Sequence, residues 1–65
     1  MFNEDYYLAK ITSLEIAEEI VHVSNMDEKT RRICIEFLAW AKNGDMEAED
    51  LLKRRLAGWL AKQTY

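Results

Sequence analysis

The sequence predicts an all-α fold, a compact bundle of three to four helices with a central, largely buried helix. Three observations favour this fold class. The chain has no proline and only two glycines, strong helix formers dominate it, and capping residues separate its apolar segments. A chain of 65 residues is long enough for one hydrophobic core, so we expect residues 1–65 to form a single domain.

The last helix has the clearest signals. Gly44 is suited to the left-handed conformation that ends the preceding helix, and Asp45 can cap the helix that follows. Acidic residues are concentrated near the start of this helix and basic residues in its second half, which matches the helix dipole. Its apolar residues recur at helical spacing and predict a buried stripe of Ala48, Leu52, Leu56, Trp59 and Leu60.

The preceding helix is predicted over residues 26–42, with Asn25 and Glu28 in the spacing of a capping box. A buried strand over residues 33–40 is the alternative, but the flanking residues continue a helical pattern without turn residues. We therefore prefer the helix.

Apolar residues surround this helix almost completely. A helix of that kind is typical of the centre of a bundle, where neighbours or a partner chain cover it. Its main stripe is predicted to consist of Met26, Ile33, Phe37 and Trp40, whereas Ile35, Leu38 and Ala39 project to other sides.

Two segments precede the central helix. Thr12 and Glu15 have capping-box spacing and predict a short helix that ends near Ser24. Asn3 can cap a still shorter helix before it, although one continuous helix through Thr12 is the alternative; we prefer the break. The inner side of the second segment is predicted to carry Ile16, Ala17, Ile20 and Val23.

Composition limits the compartment and the partners. The chain lacks an apolar stretch of about 18 residues, and its first residues are acidic where a signal peptide would be basic, so we expect a cytoplasmic protein without a membrane partner. The single Cys34 cannot form an internal disulfide, which agrees with a reducing compartment. Residues 1–30 hold seven acids and two bases, whereas residues 31–65 hold five acids and seven bases. The net charge of −3 argues against nonspecific nucleic-acid binding, but the basic second half leaves local binding open.

No residue pattern predicts catalysis. Cys34 and His22 fall on different helices, and no glycine-rich turn offers an oxyanion hole or a phosphate cradle. Glu19 and His22 have a spacing used by carboxylate-bridged metal proteins, but a site of that type needs further ligands inside a bundle, and this face is polar. We expect neither an enzyme nor a bound metal or cofactor.

The apolar and basic surfaces favour an interaction module. Three short neighbours cannot easily cover the central helix, and exposed apolar faces mark association sites. On the last helix, Gly58 would let another helix approach closely beside basic residues. We expect a small non-catalytic adaptor, inhibitor or regulator that binds a protein partner or a second copy of itself as a homodimer. The candidate partner-binding residues are Ile35, Leu38, Leu51, Arg55, Gly58 and Lys62.

The segment Leu14-Glu-Ile-Ala-Glu-Glu-Ile-Val-His-Val-Ser24, followed by Thr30-Arg31-Arg32-Ile33, resembles the helix-turn-helix of bacterial regulators. In that family an Ile-Ala-Glu-Glu helix precedes a Val-Ser turn and a recognition helix. The resemblance covers about a third of the chain. It implies a DNA-binding regulator as the alternative function, with Lys29, Thr30, Arg31 and Arg32 facing the major groove.

The segment also departs from the helix-turn-helix pattern. The turn contains no glycine, and the stretch 25–29 is longer than the family pattern before Thr30. Asp27 and Glu28 would open the recognition helix, where acidic side chains repel phosphate. Ordinary helical amphipathicity combined with capping explains the same residues without DNA binding.

Overall fold

The computed structural model describes residues 3–63, and all regular structure in this range is helical. The prediction of three longer helices preceded by a short one is confirmed, as is the break between the first two. None of the described helices combines the length and the apolar character needed to cross a membrane. The helices are α1 (Glu4–Lys10), α2 (Leu14–Val23), α3 (Glu28–Lys42) and α4 (Met46–Gln63).

Polar caps fix where these helices begin. Asn3 and Asp45 cap α1 and α4 as predicted, each accepting a hydrogen bond from the backbone N–H three residues later, at 3.0 and 3.1 Å. Gly44 has a φ of 98°, the left-handed conformation expected between α3 and α4. The cap of α2 is Ser13 and not Thr12, because the Ser13 hydroxyl lies 3.2 Å from the amide nitrogen three residues later.

The start of α3 differs from the prediction. Asp27, not Asn25, is its cap, since the Asp27 carboxylate accepts hydrogen bonds from both the backbone N–H and the hydroxyl of Thr30, at 3.0 and 2.7 Å. Met26, expected inside the helix, lies in the connection with its side chain buried in the core. The two hydrogen bonds that Asp27 accepts explain why α3 begins at Glu28.

The helix at the middle of the bundle is α4. It packs against each of the other three helices, whereas α3 packs against α2 and α4, and α1 packs against α4. The expectation that the helix of Phe37 is central is therefore wrong. The predicted α4 stripe is confirmed, with Leu52 and Leu56 fully buried. The core cluster consists of Ile11, Ala17, Val21, Met26, Cys34, Leu38, Leu52, Leu56 and Ala57.

The side of α3 that faces the core also differs from the predicted stripe. Trp40, expected in the core, is 50% exposed, and its neighbour on the predicted stripe, Phe37, is half-buried. Small and medium side chains allow closer helix packing, so the large rings lie beside the contact and not within it. The buried residues of α3 are Cys34, Leu38 and Ala41.

The orientation of α2 is likewise rotated relative to the prediction. Ala17 and Val21 are completely buried against the core. Val23, expected on the inner side, is 74% exposed, and Ile16 is also exposed. Ala17 and Val21 therefore make the helix contact, while Ile16 and Val23 face away from the bundle.

Candidate functional site

A cleft of about 620 Å³ lies between α3 and α4 and reaches the start of α1. We call it the α3–α4 cleft. It contains four of the six residues predicted to bind a partner, because positions four, seven and eleven residues apart lie on one side of α4. The short connection before α4 makes the two helices antiparallel, which brings the start of α3 beside the end of α4. The defining residues are Thr30, Phe37, Leu51, Arg55, Gly58 and Lys62.

The apolar part of the cleft continues onto the neighbouring surface. Phe37 is half-buried in the cleft, and Leu51 is 45% exposed at its rim. The Phe37 ring contacts the half-exposed Trp40 ring edge to face, with centroids 5.7 Å apart. Apolar side chains from two helices thus form one accessible surface.

Two cations beside this surface lack an acidic partner among residues 3–63. The Arg55 guanidinium lies over the Phe37 ring, 5.9 Å from its centroid, in a cation–π contact. No carboxylate in the described part of the chain lies within 4.0 Å of Arg55 or Lys62. Arg54 differs, because it pairs with Asp50 at 2.9 Å. Arg55 and Lys62 are therefore the cations that a bound anionic group would meet.

Gly58 makes room for a carboxylate at the α1 end of the cleft. A Cβ atom at Gly58 would lie 3.3 Å from Oε1 of Glu4. With a larger residue at position 58, the Glu4 carboxylate would have to shift by a few tenths of an ångström. The cleft holds this one acidic side chain against Arg54, Arg55 and Lys62, and its lining is basic overall.

The other two predicted partner-binding residues lie outside the cleft. Ile35 is 43% exposed, but a two-residue offset on a helix places it on the side of α3 away from Phe37. Leu38 is buried in the core, so the prediction that it contacts a partner is wrong. Its spacing from Cys34 places it on the core face of α3.

Arg31 has a structural role that the sequence analysis missed. Its guanidinium donates hydrogen bonds to the backbone carbonyl oxygens of Val21 and Ser24, the latter at 2.6 Å. These carbonyls belong to the end of α2, where backbone acceptors lack helical partners. Arg31 is half-buried in this position and does not face outward as a recognition side chain would.

The other candidate DNA-binding residues are divided between two roles. Thr30 donates its hydroxyl to Asp27, as part of the α3 cap. Lys29 and Arg32 are exposed, but the exposed acidic residues Asp27 and Glu28 precede them. The four predicted DNA contacts therefore do not form one basic surface.

The ionisable groups outside the cleft have structural partners or are buried. Burial raises the pKa of the Cys34 thiol, which disfavours the reactive thiolate. A hydrogen bond from Lys42, 2.6 Å long, is the main cause that lowers the pKa of the Glu18 carboxyl, and His22 lies 3.7 Å from the same carboxylate. Within residues 3–63, no group of three or more His, Cys, Asp or Glu side chains is arranged to hold a metal ion.

No protein-family model, curated protein or solved structure matches this chain. Among the described residues, the α3–α4 cleft brings exposed apolar side chains together with cations that have no acidic partner in residues 3–63. Sequence spacing identified its α4 wall. Phe37 and Thr30 were missed as parts of it, because their position depends on how α3 packs against α4.

Proposed function

We propose that this chain is a non-catalytic helical interaction module that binds an acidic, apolar helix of a protein partner or of a second copy in the α3–α4 cleft. The observation that carries the proposal is the combination of exposed Leu51 and half-buried Phe37 with Arg55 and Lys62 beside them. A groove of this composition suits an amphipathic helix, whose apolar side chains enter the groove while its acids meet the cations. An adaptor, inhibitor or regulator of the cytoplasm would act in this way.

The buried thiol supports a non-catalytic role. Cys34 is fully buried and its pKa is raised, so it is poorly suited to act as a nucleophile. The cleft itself is lined by cations, apolar groups, one threonine and one carboxylate. Its composition is more typical of a recognition surface than of an acid–base pair.

An NMR titration with two synthetic amphipathic helical peptides tests the proposal. Both peptides carry the same leucine stripe, flanked by glutamates in one and by lysines in the other. We expect the acidic peptide to shift the backbone amide signals of residues 51–62 and of Phe37, and the basic peptide to shift them far less. Arg55→Glu should weaken acidic-peptide binding by about tenfold or more, since it reverses the charge beside the apolar surface.

Arg32→Glu is the matched control, because Arg32 is an exposed arginine of α3 outside the cleft. It changes the net charge as Arg55→Glu does. Equal binding of both peptides would show that the cations of the cleft do not select an acidic helix. An equal loss from both variants would show that net charge and not the cleft governs the interaction. Either result would overturn the proposal.

DNA binding is the second candidate function. One observation favours it: the structure joins α2 and α3 by residues 24–27, a connection of the length found in helix-turn-helix motifs. Lys29→Glu and Arg32→Glu test it better than a change of Arg31, which holds α2 in place. A DNA mobility shift at low salt that both substitutions abolish would favour this function. Unchanged mobility of DNA mixed with the wild-type protein would exclude it.

A further inference from the structure

We propose that the occupant of the α3–α4 cleft is the outward face of α2 from a second copy of this chain. This inference rests on the proposed binding function of the cleft. It adds the identity of the bound helix and the direction of assembly.

The outward face of α2 has the pattern of a docking helix. Ile16 and Val23 are exposed, at 39% and 74%, and Ile20 between them is half-buried. Together with Glu19 these residues occupy positions i, i+3, i+4 and i+7, the spacing by which an amphipathic helix enters a groove. Ile20 packs partly against the core cluster, whereas Ile16 and Val23 are not part of it. The fully buried contacts of α2 come from Ala17 and Val21, so Ile16 and Val23 are the side chains left for an external contact.

The charges of the two surfaces are complementary. Glu15 and Glu19 are exposed on α2, and neither has an ion-pair partner within residues 3–63. Arg55 and Lys62 of the cleft lack acidic partners in the same part of the chain. Glu18 belongs to neither group, since it binds Lys42 of its own chain. Opposite charges that remain unpaired on one copy can therefore pair between two copies.

The length of the α2 stripe also agrees with the length of the cleft. At 1.5 Å per residue, the α2 stripe from Ile16 to Val23 spans about 10 Å, and the α4 wall from Leu51 to Lys62 spans about 16 Å. The α2 stripe therefore fits along the cleft with both apolar ends inside it. The cleft is long enough for the flanking glutamates to reach its cations.

The two surfaces of one chain cannot meet each other. Residues of α1, α3 and α4 line the cleft, and α2 contributes none of them. Bonds from Arg31 and Lys42 hold α2 at another flank of α3. Each copy thus offers one donor helix and one acceptor cleft, and the contact is heterologous, joining copies head to tail.

Complementation between two variants tests this assembly by sedimentation velocity over a range of concentrations. Leu51→Glu changes the cleft alone, and Val23→Lys changes the α2 stripe alone. We expect the mass of the wild-type protein to rise with concentration above the monomer mass of 7.7 kDa. Each variant by itself should remain at the monomer mass, whereas an equimolar mixture should associate again, because each variant retains the surface that the other lacks.

The matched control is Met46→Lys, since Met46 is 82% exposed and belongs to neither surface. It should associate like the wild-type protein. If circular dichroism shows that Leu51→Glu is unfolded, Arg55→Glu replaces it as the cleft variant. A wild-type protein that stays monomeric, a Val23→Lys variant that self-associates normally, or a mixture that fails to associate would each overturn this inference. The peptide titration reports separately on the cleft, so binding of the acidic peptide would leave the proposed function intact in all three cases.

Discussion

On the flank of α3 that faces α2, two basic side chains bind oxygen atoms, whereas on the flank that faces the cleft aromatic rings remain partly exposed. Arg31 donates to carbonyls at the end of α2, and Lys42 binds Glu18 at 2.6 Å. On the other flank, Phe37 and Trp40 contact each other and have solvent-accessible surface. One flank is closed within the chain, and the other is available to a partner.

The difference between the two flanks shows that arginine can be used in two ways in one fold. An arginine that donates hydrogen bonds to backbone carbonyls without helical partners holds a neighbouring helix in place. An arginine that lies over an exposed ring, as Arg55 does over Phe37, retains donors that can bind an external carboxylate. Position in the fold, and not residue type, separates the structural cation from the candidate binding cation.

The largest expected effect concerns Leu38, one of the buried α3 side chains that lie between the two flanks. Leu38→Ala should lower the free energy of unfolding by about 2–5 kcal/mol, because it removes buried methyl groups and leaves a cavity. Ile35→Ala, at an exposed position of the same helix, should cost much less. Urea unfolding followed by circular dichroism measures both. Similar losses would mean that α3 does not have the orientation described above.

Substitutions of Arg31 and Arg55 compare the two flanks of α3 directly. Arg31→Met should lower the free energy of unfolding by about 1–3 kcal/mol, because two carbonyl oxygens lose their charged donor. Arg55→Met should cost at most about 1 kcal/mol, since it removes an exposed cation–π contact. The measurement is again urea unfolding. If Arg55→Met proved the more damaging substitution, the cleft flank would be the structural one.

The smallest effect is the pH dependence of the exposed ion pair on the closed flank. The pKa of Glu18 is lowered from 4.5, so its contribution to stability is present above that pH and is lost as the pH falls through the lower folded-state pKa. The stability difference between wild type and Glu18→Gln should therefore shrink on acidification. Glu15→Gln, at an exposed position without an ion pair in residues 3–63, is the matched control. The measurement is the thermal unfolding temperature of each protein over a series of acidic pH values. If the ion pair contributes nothing, the difference between wild type and Glu18→Gln will stay constant.

Local sequence signals predicted the helices and the α4 wall of the cleft correctly. The Asn3 and Asp45 caps and the Gly44 turn depend on side chains within a few residues of each helix end, so the sequence contains their cause. The α4 wall depends on a single helix and its period of 3.6 residues. Leu51 and Arg55 therefore fall on one side of α4 whatever packs beside it.

The sequence by itself determined the four helices, half of their ends and the buried stripe of α4, because these follow from contacts between residues close in the chain. Only the tertiary structure decided that α2 buries Val21 and leaves Ile16 exposed. It likewise decided that α3 buries Leu38 and leaves Trp40 exposed. Both helices carry apolar residues on more than one side, and periodicity ranks those sides by hydrophobicity alone. The choice between them depends on how closely neighbouring backbones can approach, which favours the smaller side chains at the contact.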